Sequence, residues 1–337
     1  MKYKDKTTFV SKSKPKEILT IVAILLLGAV LGLYVNQIMK EHSSKLYTFK
    51  KDIINNYYRP EVLDTIFKNN LGDNYTGDVD ADFDIFVITS LYNEINKYEL
   101  KHNRINNSYF PKERLDEYHS SNEENAKKIS GASINNNTYY INITQFRDGV
   151  TYKLFSQHKD DLVNFNNLII DLRNNTGGGF DDFTKISNFF LEEGSEIYRL
   201  NTSKNTIIEK STNKNPALFE NIVILTNNYT ASASELFILS LKANLDNVTL
   251  IGTNTYGKNI SCSIRTFKDK TGAAFITSHM AGPNGAEIAS PEGIAPDIYV
   301  GNTEDFYKSI NDPDKEKDLR EKDSNEQYEC AVQFLTN

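Results

Sequence analysis

The sequence is short of the residues that build several common kinds of site. Cys262 and Cys330 are its only cysteines in 337 residues, which excludes a disulfide scaffold and a cysteine-based zinc site. Its five histidines are scattered, and none shows the H-E-x-x-H spacing. No metal and no cofactor are therefore expected. Basic residues do not prevail either: 38 Lys+Arg stand against 45 Asp+Glu, a formal net charge of −7. That argues against nucleic acid as a partner, because phosphate contacts need clustered cations. Internal repeats and low-complexity tracts are absent. The 39% hydrophobic and 25% charged content is that of a folded chain, with length for two or three modules.

One long apolar run is present. Residues 1–17 carry six lysines against Asp5 and Glu17, and Ile18 to Val35 then follow with only Thr20 and two glycines as soft spots. Eighteen helical residues span about 27 Å, close to the roughly 30 Å hydrocarbon core of a bilayer. The lysines place the preceding end in the cytoplasm and everything after residue 40 outside. A cleavable signal peptide is the competing reading, but its apolar region is shorter and ends at a small-x-small site. Tyr34–Met39 offers none. The expectation is an uncleaved single-pass anchor.

Beyond the anchor, apolar spacing reads as helical over Leu46–Phe67 and Ile85–Leu100, and residues 119–136 read as a solvated linker. From Thr138 short apolar strands alternate with helix-length segments. The strands are Tyr139–Ile143, Leu168–Asp171, Ile222–Leu225, Val248–Gly252 and Ala273–Ser278. The helices are Val150–Val163, Phe180–Leu191 and Ala231–Ala243. This alternation predicts a layered α/β domain, parallel at least in part. The charged tail after Val300 ends in an expected helix over Asn325–Leu335.

Three stretches carry candidate chemistry. Asp171-Leu172-Arg173-Asn174-Asn175-Thr176-Gly177-Gly178-Gly179 follows a strand. Its glycines suit a tight turn, and equally a nest of N–H groups for a phosphate or an oxyanion. Walker and dinucleotide spacings are both missing. Thr230-Ala231-Ser232-Ala233-Ser234-Glu235 opens a helix, where small residues serve capping and close packing. They also serve a nucleophilic serine beside free N–H groups. Thr255-Tyr256-Gly257-Lys258 follows the strand Val248–Gly252. Its lysine is either a solvated surface residue or, if desolvated, a base for the serine 26 positions earlier.

In this order the three stretches resemble the carboxyl-terminal processing peptidases, tail-specific serine proteases of the Ser-Lys type (the S41 family). Tyr140-Ile141-Asn142-Ile143-Thr144-Gln145-Phe146 is similar to the strand that opens the family's core. Gly282-Pro283-Asn284-Gly285 with Glu292-Gly293-Ile294-Ala295-Pro296-Asp297 is similar to its closing segment. Ser108-Tyr109-Phe110-Pro111 is similar to the end of its N-terminal helical region. The likeness is strong over 138–300 and weak over 46–118. It implies a ClpP/crotonase-like layered core with Ser232 as nucleophile and Lys258 as general base. It also implies an oxyanion hole from the N–H of Ala233 and that of Gly177 or Gly178. Ser234 would face the packing side or cap the helix. Asp171 and Arg173 would hold the glycine turn, and Glu235 is left undecided.

The resemblance divides the chain into a cytoplasmic terminus (1–17), an anchor (18–39), a helical region (41–118) and a linker (119–137). The catalytic core (138–300) and a charged helical tail (301–337) follow. Two departures stand out. The family's lysine is usually oriented by a glutamine four positions on, where this chain has Cys262, and a thiol is a poor hydrogen-bond partner for an amine. The family's PDZ module, which binds substrate tails by strand addition, has no room between Lys112 and Asn137. The expectation is a bacterial membrane-anchored, extracytoplasmic serine endopeptidase acting on protein or peptide tails. The alternatives are a catalytically weakened peptide-binding relative and a crotonase-like acyl-CoA enzyme, which an extracytoplasmic location disfavours. Whether Cys262 and Cys330 pair is left open, as are the oligomeric state and the substrate.

Overall fold

The computed structural model describes residues 129–266 and 272–336, together with Asn93 and the backbone of Ser108–Phe110. The expected anchor and the expected helix Leu46–Phe67 lie outside the described residues. So does the expected helix Ile85–Leu100 apart from Asn93.

The chain forms strands β1 (Ser108–Phe110), β2 (Ile129–Ser133) and β3 (Thr138–Ile143), then short helices α1 (Thr151–Ser156) and α2 (Lys159–Leu162). Next come β4 (Asn167–Asp171), α3 (Phe180–Phe190), β5 (Glu196–Thr202), β6 (Thr206–Lys210), β7 (Asn221–Thr226) and α4 (Ala233–Asn244). The remainder is β8 (Val248–Gly252), β9 (Ile260–Thr266), β10 (Gly272–Ala281), β11 (Ile298–Tyr299), α5 (Glu304–Lys308) and α6 (Pro313–Thr336). Six strands form one sheet in the order β11-β8-β7-β4-β3-β2, parallel except for the antiparallel edge pair β2–β3. A second, antiparallel sheet joins β1, β10, β5 and β6, with β9 along the other side of β10.

The unbroken apolar runs of β4 and β7 have a direct cause. Leu168 and Ile170 point with Ile222 and Ile224 into the core beneath α3 and α4, whose Phe183, Phe190 and Phe237 are buried there. The alternate residues Ile169, Val223, Leu225 and Ile251 point to the opposite face, which α6 covers through Ala331, Tyr328 and Val332. With both faces buried, alternation gives way to continuous hydrophobicity. Each fully buried Leu, Ile or Phe contributes about 1.5–3 kcal/mol.

Several boundaries differ from the sequence expectations. The stretch read as a linker contains β2, an edge strand in register with β3 from Ile129↔Ile143 to Ser133↔Tyr139. The single helix expected over Val150–Val163 is broken at Gln157–His158, where the Nδ1 of His158 lies 2.9 Å from the hydroxyl of Tyr139. The terminal helix starts twelve residues before Asn325, at Pro313. Proline suits a first helical turn, and the pairs Glu316–Arg320 (2.8 Å) and Lys322–Glu326 (3.6 Å) sit at helical spacing.

Because β4, β7 and β8 are parallel neighbours, the loops that follow them leave the sheet at one edge. Asp171 pairs with Leu225 and Thr226 with Gly252. All three sequence stretches of interest therefore meet at the carboxyl ends of these strands, where open α/β sheets bind ligands.

Candidate active site

Ser232 is the residue from which α4 starts, and its backbone lies at φ 59°, ψ −118°. That conformation is unfavourable for any residue with a Cβ and costs about 1–3 kcal/mol. It persists because Ser232 is fixed on both sides. Its N–H donates to Oε2 of Glu235 at 2.7 Å, and its carbonyl accepts from the N–H of Glu235 and of Leu236. The residue is buried, at 9% exposure.

Glu235 is fully buried and organises more than its own helix turn. Oε2 also accepts the N–H of Lys258 at 2.9 Å, while Oε1 accepts the hydroxyl of Thr255 at 2.5 Å and the N–H of Gly257 at 2.7 Å. One carboxylate thus ties the serine to the segment that carries the lysine. Burial pushes its pKa up, against the four hydrogen bonds, which pull it down.

The glycine turn abuts the serine from the other side. A Cβ on Gly177 (φ +91°) would lie 2.8 Å from both Cβ of Ser232 and N of Ala233. Gly178 (φ +141°) sits against Phe146, whose oxygen a Cβ would meet at 1.7 Å. Asn175 latches this contact: its side chain accepts the N–H of Gly177 at 2.9 Å and donates to the carbonyl of Ile143 at 2.8 Å. Its own carbonyl accepts the N–H of Ala231 at 3.0 Å and the hydroxyl of Ser234 at 3.1 Å.

Residues 137–300 match the family model "Peptidase family S41". This stretch is a peptidase family S41 domain. It is 32% identical over 179 residues to a protein of Staphylococcus aureus described as a probable CtpA-like serine protease, a match covering 51% of this chain and 34% of that one. A Staphylococcus epidermidis protein of the same description is 30% identical over 181 residues, covering 52% and 35%. The matched region spans about a third of the length of these curated relatives. Among solved structures, a photosystem II D1 C-terminal processing protease superposes with a TM-score of 0.56 at 13% identity, covering 76% of this chain and 92% of that one. A lipoprotein from Streptococcus agalactiae superposes at 0.54 and 16% identity, covering 78% and 93%. These likenesses establish a mixed sheet-and-helix fold shared with such proteins.

Within the S41 domain, the residues singled out from the sequence take distinct places. Gly177 commits its N–H to Asn175, so of the two glycines considered for an oxyanion hole it is Gly178 whose N–H makes no hydrogen bond among the described residues. The same holds for the N–H of Ala233, at the first position of α4. Ser234 is buried and turned inward to Asn175. Asp171 and Arg173 form a two-point pair (2.9 and 2.6 Å), with the hydroxyl of Tyr140 donating to Asp171 at 2.7 Å. Arg173 reaches on to the carbonyl and hydroxyl of Ser324 in α6. Neither Cys262 nor Cys330 forms a disulfide among the described residues. Burial pushes the thiol of Cys262 up in pKa and the nearby positive charge of Lys258 pulls it down. Lys258 and Cys262 are both half-buried.

Of the two organising residues, Glu235 was left undecided by the sequence reading and Asn175 was given no role. Glu235 carried a signal, since Ser-x-x-Glu at a helix start is the capping-box pattern. Nothing local marked Asn175, whose partners are up to 59 positions away. An acidic cluster of Asp148, Asp181 and Asp182 lies within 4.8 Å, but it is occupied with structure. Asp182 accepts the N–H of Gly149, Val150 and Tyr152, and Asp148 accepts that of Asp182. Lys185 lies 2.5 Å from Asp181.

Proposed function

We propose that this chain is a membrane-anchored, extracytoplasmic serine endopeptidase that trims protein or peptide tails through Ser232 and Lys258. The observation that carries the proposal is the single oxygen of Glu235 that accepts the N–H of both Ser232 and Lys258. It gathers a strained serine and the backbone of Lys258 at one end of the sheet, with Gly177 packed against Ser232 and Ala233. Similarity to CtpA-like proteases supports the same reading.

In the reaction, the amine of Lys258 takes the proton of the Ser232 hydroxyl as Oγ bonds to the scissile carbonyl carbon. The negative charge on the carbonyl oxygen is held by the N–H of Ala233 and of Gly178. Lys258 passes its proton to the departing amine and an acyl-enzyme remains. Water then gives a proton to Lys258, its oxygen attacks the acyl carbon, and the hydroxyl of Ser232 is restored. The Lys-rich terminus followed by the apolar run Ile18–Val35 supports anchoring, with residues after 40 outside.

The experiment is digestion of an unstructured protein with an apolar C-terminal tail, using the full chain and reading products by mass spectrometry. Cleavage lost in Ser232→Ala and in Lys258→Ala is the expected result. Cleavage that survives Ser232→Ala would overturn the assignment.

A further inference from the structure

The stretch Glu292-Gly293-Ile294 has no part in the reaction as written above. It is nevertheless locked onto the segment that carries Lys258, and the hydroxyl of Thr255 makes the join. That hydroxyl accepts the N–H of Ile294 at 2.7 Å and donates to Oε1 of Glu235 at 2.5 Å. The N–H of Thr255 donates in turn to the carbonyl of Ile294 at 3.1 Å. The approach is close, since a Cβ on Gly293 (φ +73°) would lie 2.1 Å from the carbonyl oxygen of Thr255. Thr255 itself is 3% exposed.

The direction of this chain of bonds follows from its ends. A backbone N–H only donates and an ionised carboxylate only accepts, so the hydroxyl between them gives its lone pair to Ile294 and its proton to Glu235. Hydrogen bonds in series polarise one another. Oε1 is pinned by this hydroxyl and by the N–H of Gly257, which fixes the carboxylate plane and leaves Oε2 to Ser232 and Lys258. Of the four donors only Lys258 has a charged side chain, and it meets the carboxylate through its backbone. Burial raises the pKa of Glu235, and the Thr255 hydroxyl is foremost among the hydrogen bonds that oppose the rise. We propose that Thr255 is a positioning residue of the reaction: gripped from behind by Ile294, its hydroxyl holds the Glu235 carboxylate turned so that one oxygen binds both Ser232 and Lys258. The proposal rests on Ser232 and Lys258 being the reacting pair. It brings the stretch 292–294 into the catalytic apparatus without contact to substrate.

The test compares Thr255→Val, which keeps the shape and loses the hydroxyl, with Thr255→Ser, which keeps the hydroxyl, in the full chain. Two quantities are followed against pH. One is cleavage of an unstructured protein with an apolar C-terminal tail. The other is the titration of the Glu235 carboxyl by NMR with carbon-13-labelled glutamate, its signal assigned by loss in Glu235→Gln. In Thr255→Val, kcat falls about tenfold with KM unchanged, as for one lost hydrogen bond to a charged group. Its carboxyl titration and the acid limb of its rate both move to higher pH, because removing a donor disfavours the ionised form. Thr255→Ser restores all three. A residue that only held the fold would lower the unfolding midpoint and leave both pH curves in place, so unmoved curves in Thr255→Val overturn the proposal. A loss confined to KM, or a Thr255→Ser that behaves like Thr255→Val, does the same. Should Thr255→Val fail to fold, Thr255→Cys takes its place, since a thiol is a weak donor, and curves identical to those of Thr255→Ser then overturn the proposal. Ser232-dependent cleavage with both curves unmoved leaves the protease standing and removes Thr255. A moved carboxyl titration without Ser232-dependent cleavage removes the protease, and with it any part for Thr255 in a reaction.

Discussion

Oε2 of Glu235 lies 2.7 Å from the backbone nitrogen of Ser232 and, on its other side, accepts the N–H of Lys258. Four donors converge on this carboxylate and none comes from water-exposed surface. Glu235→Gln keeps the shape but turns an NH2 group toward two of those donors. Each buried donor left unmatched costs about 1–3 kcal/mol. Cleavage should fall at least about tenfold, with a lower denaturant midpoint. A variant with unchanged kcat and unchanged midpoint would show that Glu235 does not organise the site.

Protonation has the same target. Because burial raises the pKa of Glu235 in the folded protein, the folded state binds this proton more tightly than the unfolded chain. Its contribution to stability is present at low pH and is lost as pH rises through the raised value. Activity runs the opposite way, since the protonated acid gives up acceptor capacity toward Ser232 and Lys258. An acid limb in the rate should appear above the ordinary glutamate range, with the circular dichroism spectrum still native. Loss of rate only where the fold is lost would contradict this.

Gly178 tests the turn. A Cβ there would meet the oxygen of Phe146 at 1.7 Å, in a backbone conformation foreign to other residues. Gly178→Ala should destabilise by more than about 3 kcal/mol and abolish cleavage. Gly194→Ala, also at positive φ but with open space around it, should cost only about 1 kcal/mol and leave the rate intact. Equal unfolding midpoints for the two variants would refute the close contact.

Cys262→Gln restores the amide that the family usually has four positions after its lysine. A several-fold rise in kcat with little change in KM is expected if the lysine is loosely held. If neither protein cleaves, while the Ser232→Ala form still binds peptide, the chain acts as a peptide-binding protein.

Arg173→Ala strips Asp171 of its cation inside the fold, where the pair is only 10% and 5% exposed. Leaving a buried carboxylate unpaired costs about 3–5 kcal/mol. Thermal unfolding should record the loss. Asp171→Asn with Arg173→Ala should recover part of it, and failure to recover would mean that Arg173 acts chiefly through Ser324.

The parallel sheet was legible because β4, β7 and β8 are buried on both faces, and such strands announce themselves as unbroken apolar runs. The sequence placed the glycine turn, Ser232 and Lys258 after β4, β7 and β8, where the structure has them; the roles assigned to them came from the family resemblance. What was missed is half-exposed or polar. β2 sits in a serine- and asparagine-rich stretch, β6 is nearly all exposed, and the first half of α6 is a run of charges. Asn175 was silent because its importance lies wholly in distant partners that only folding assembles.

The bond from Arg173 to Ser324 has a temporal side. As the chain emerges in order, the loops bearing Ser232 and Lys258 are made well before residues 313–336 can cover Ile169, Val223 and Leu225. Until then the glycine turn lacks its brace and the sheet is bare on one side. The glycine turn is thus braced last, by α6, the final helix of the described residues.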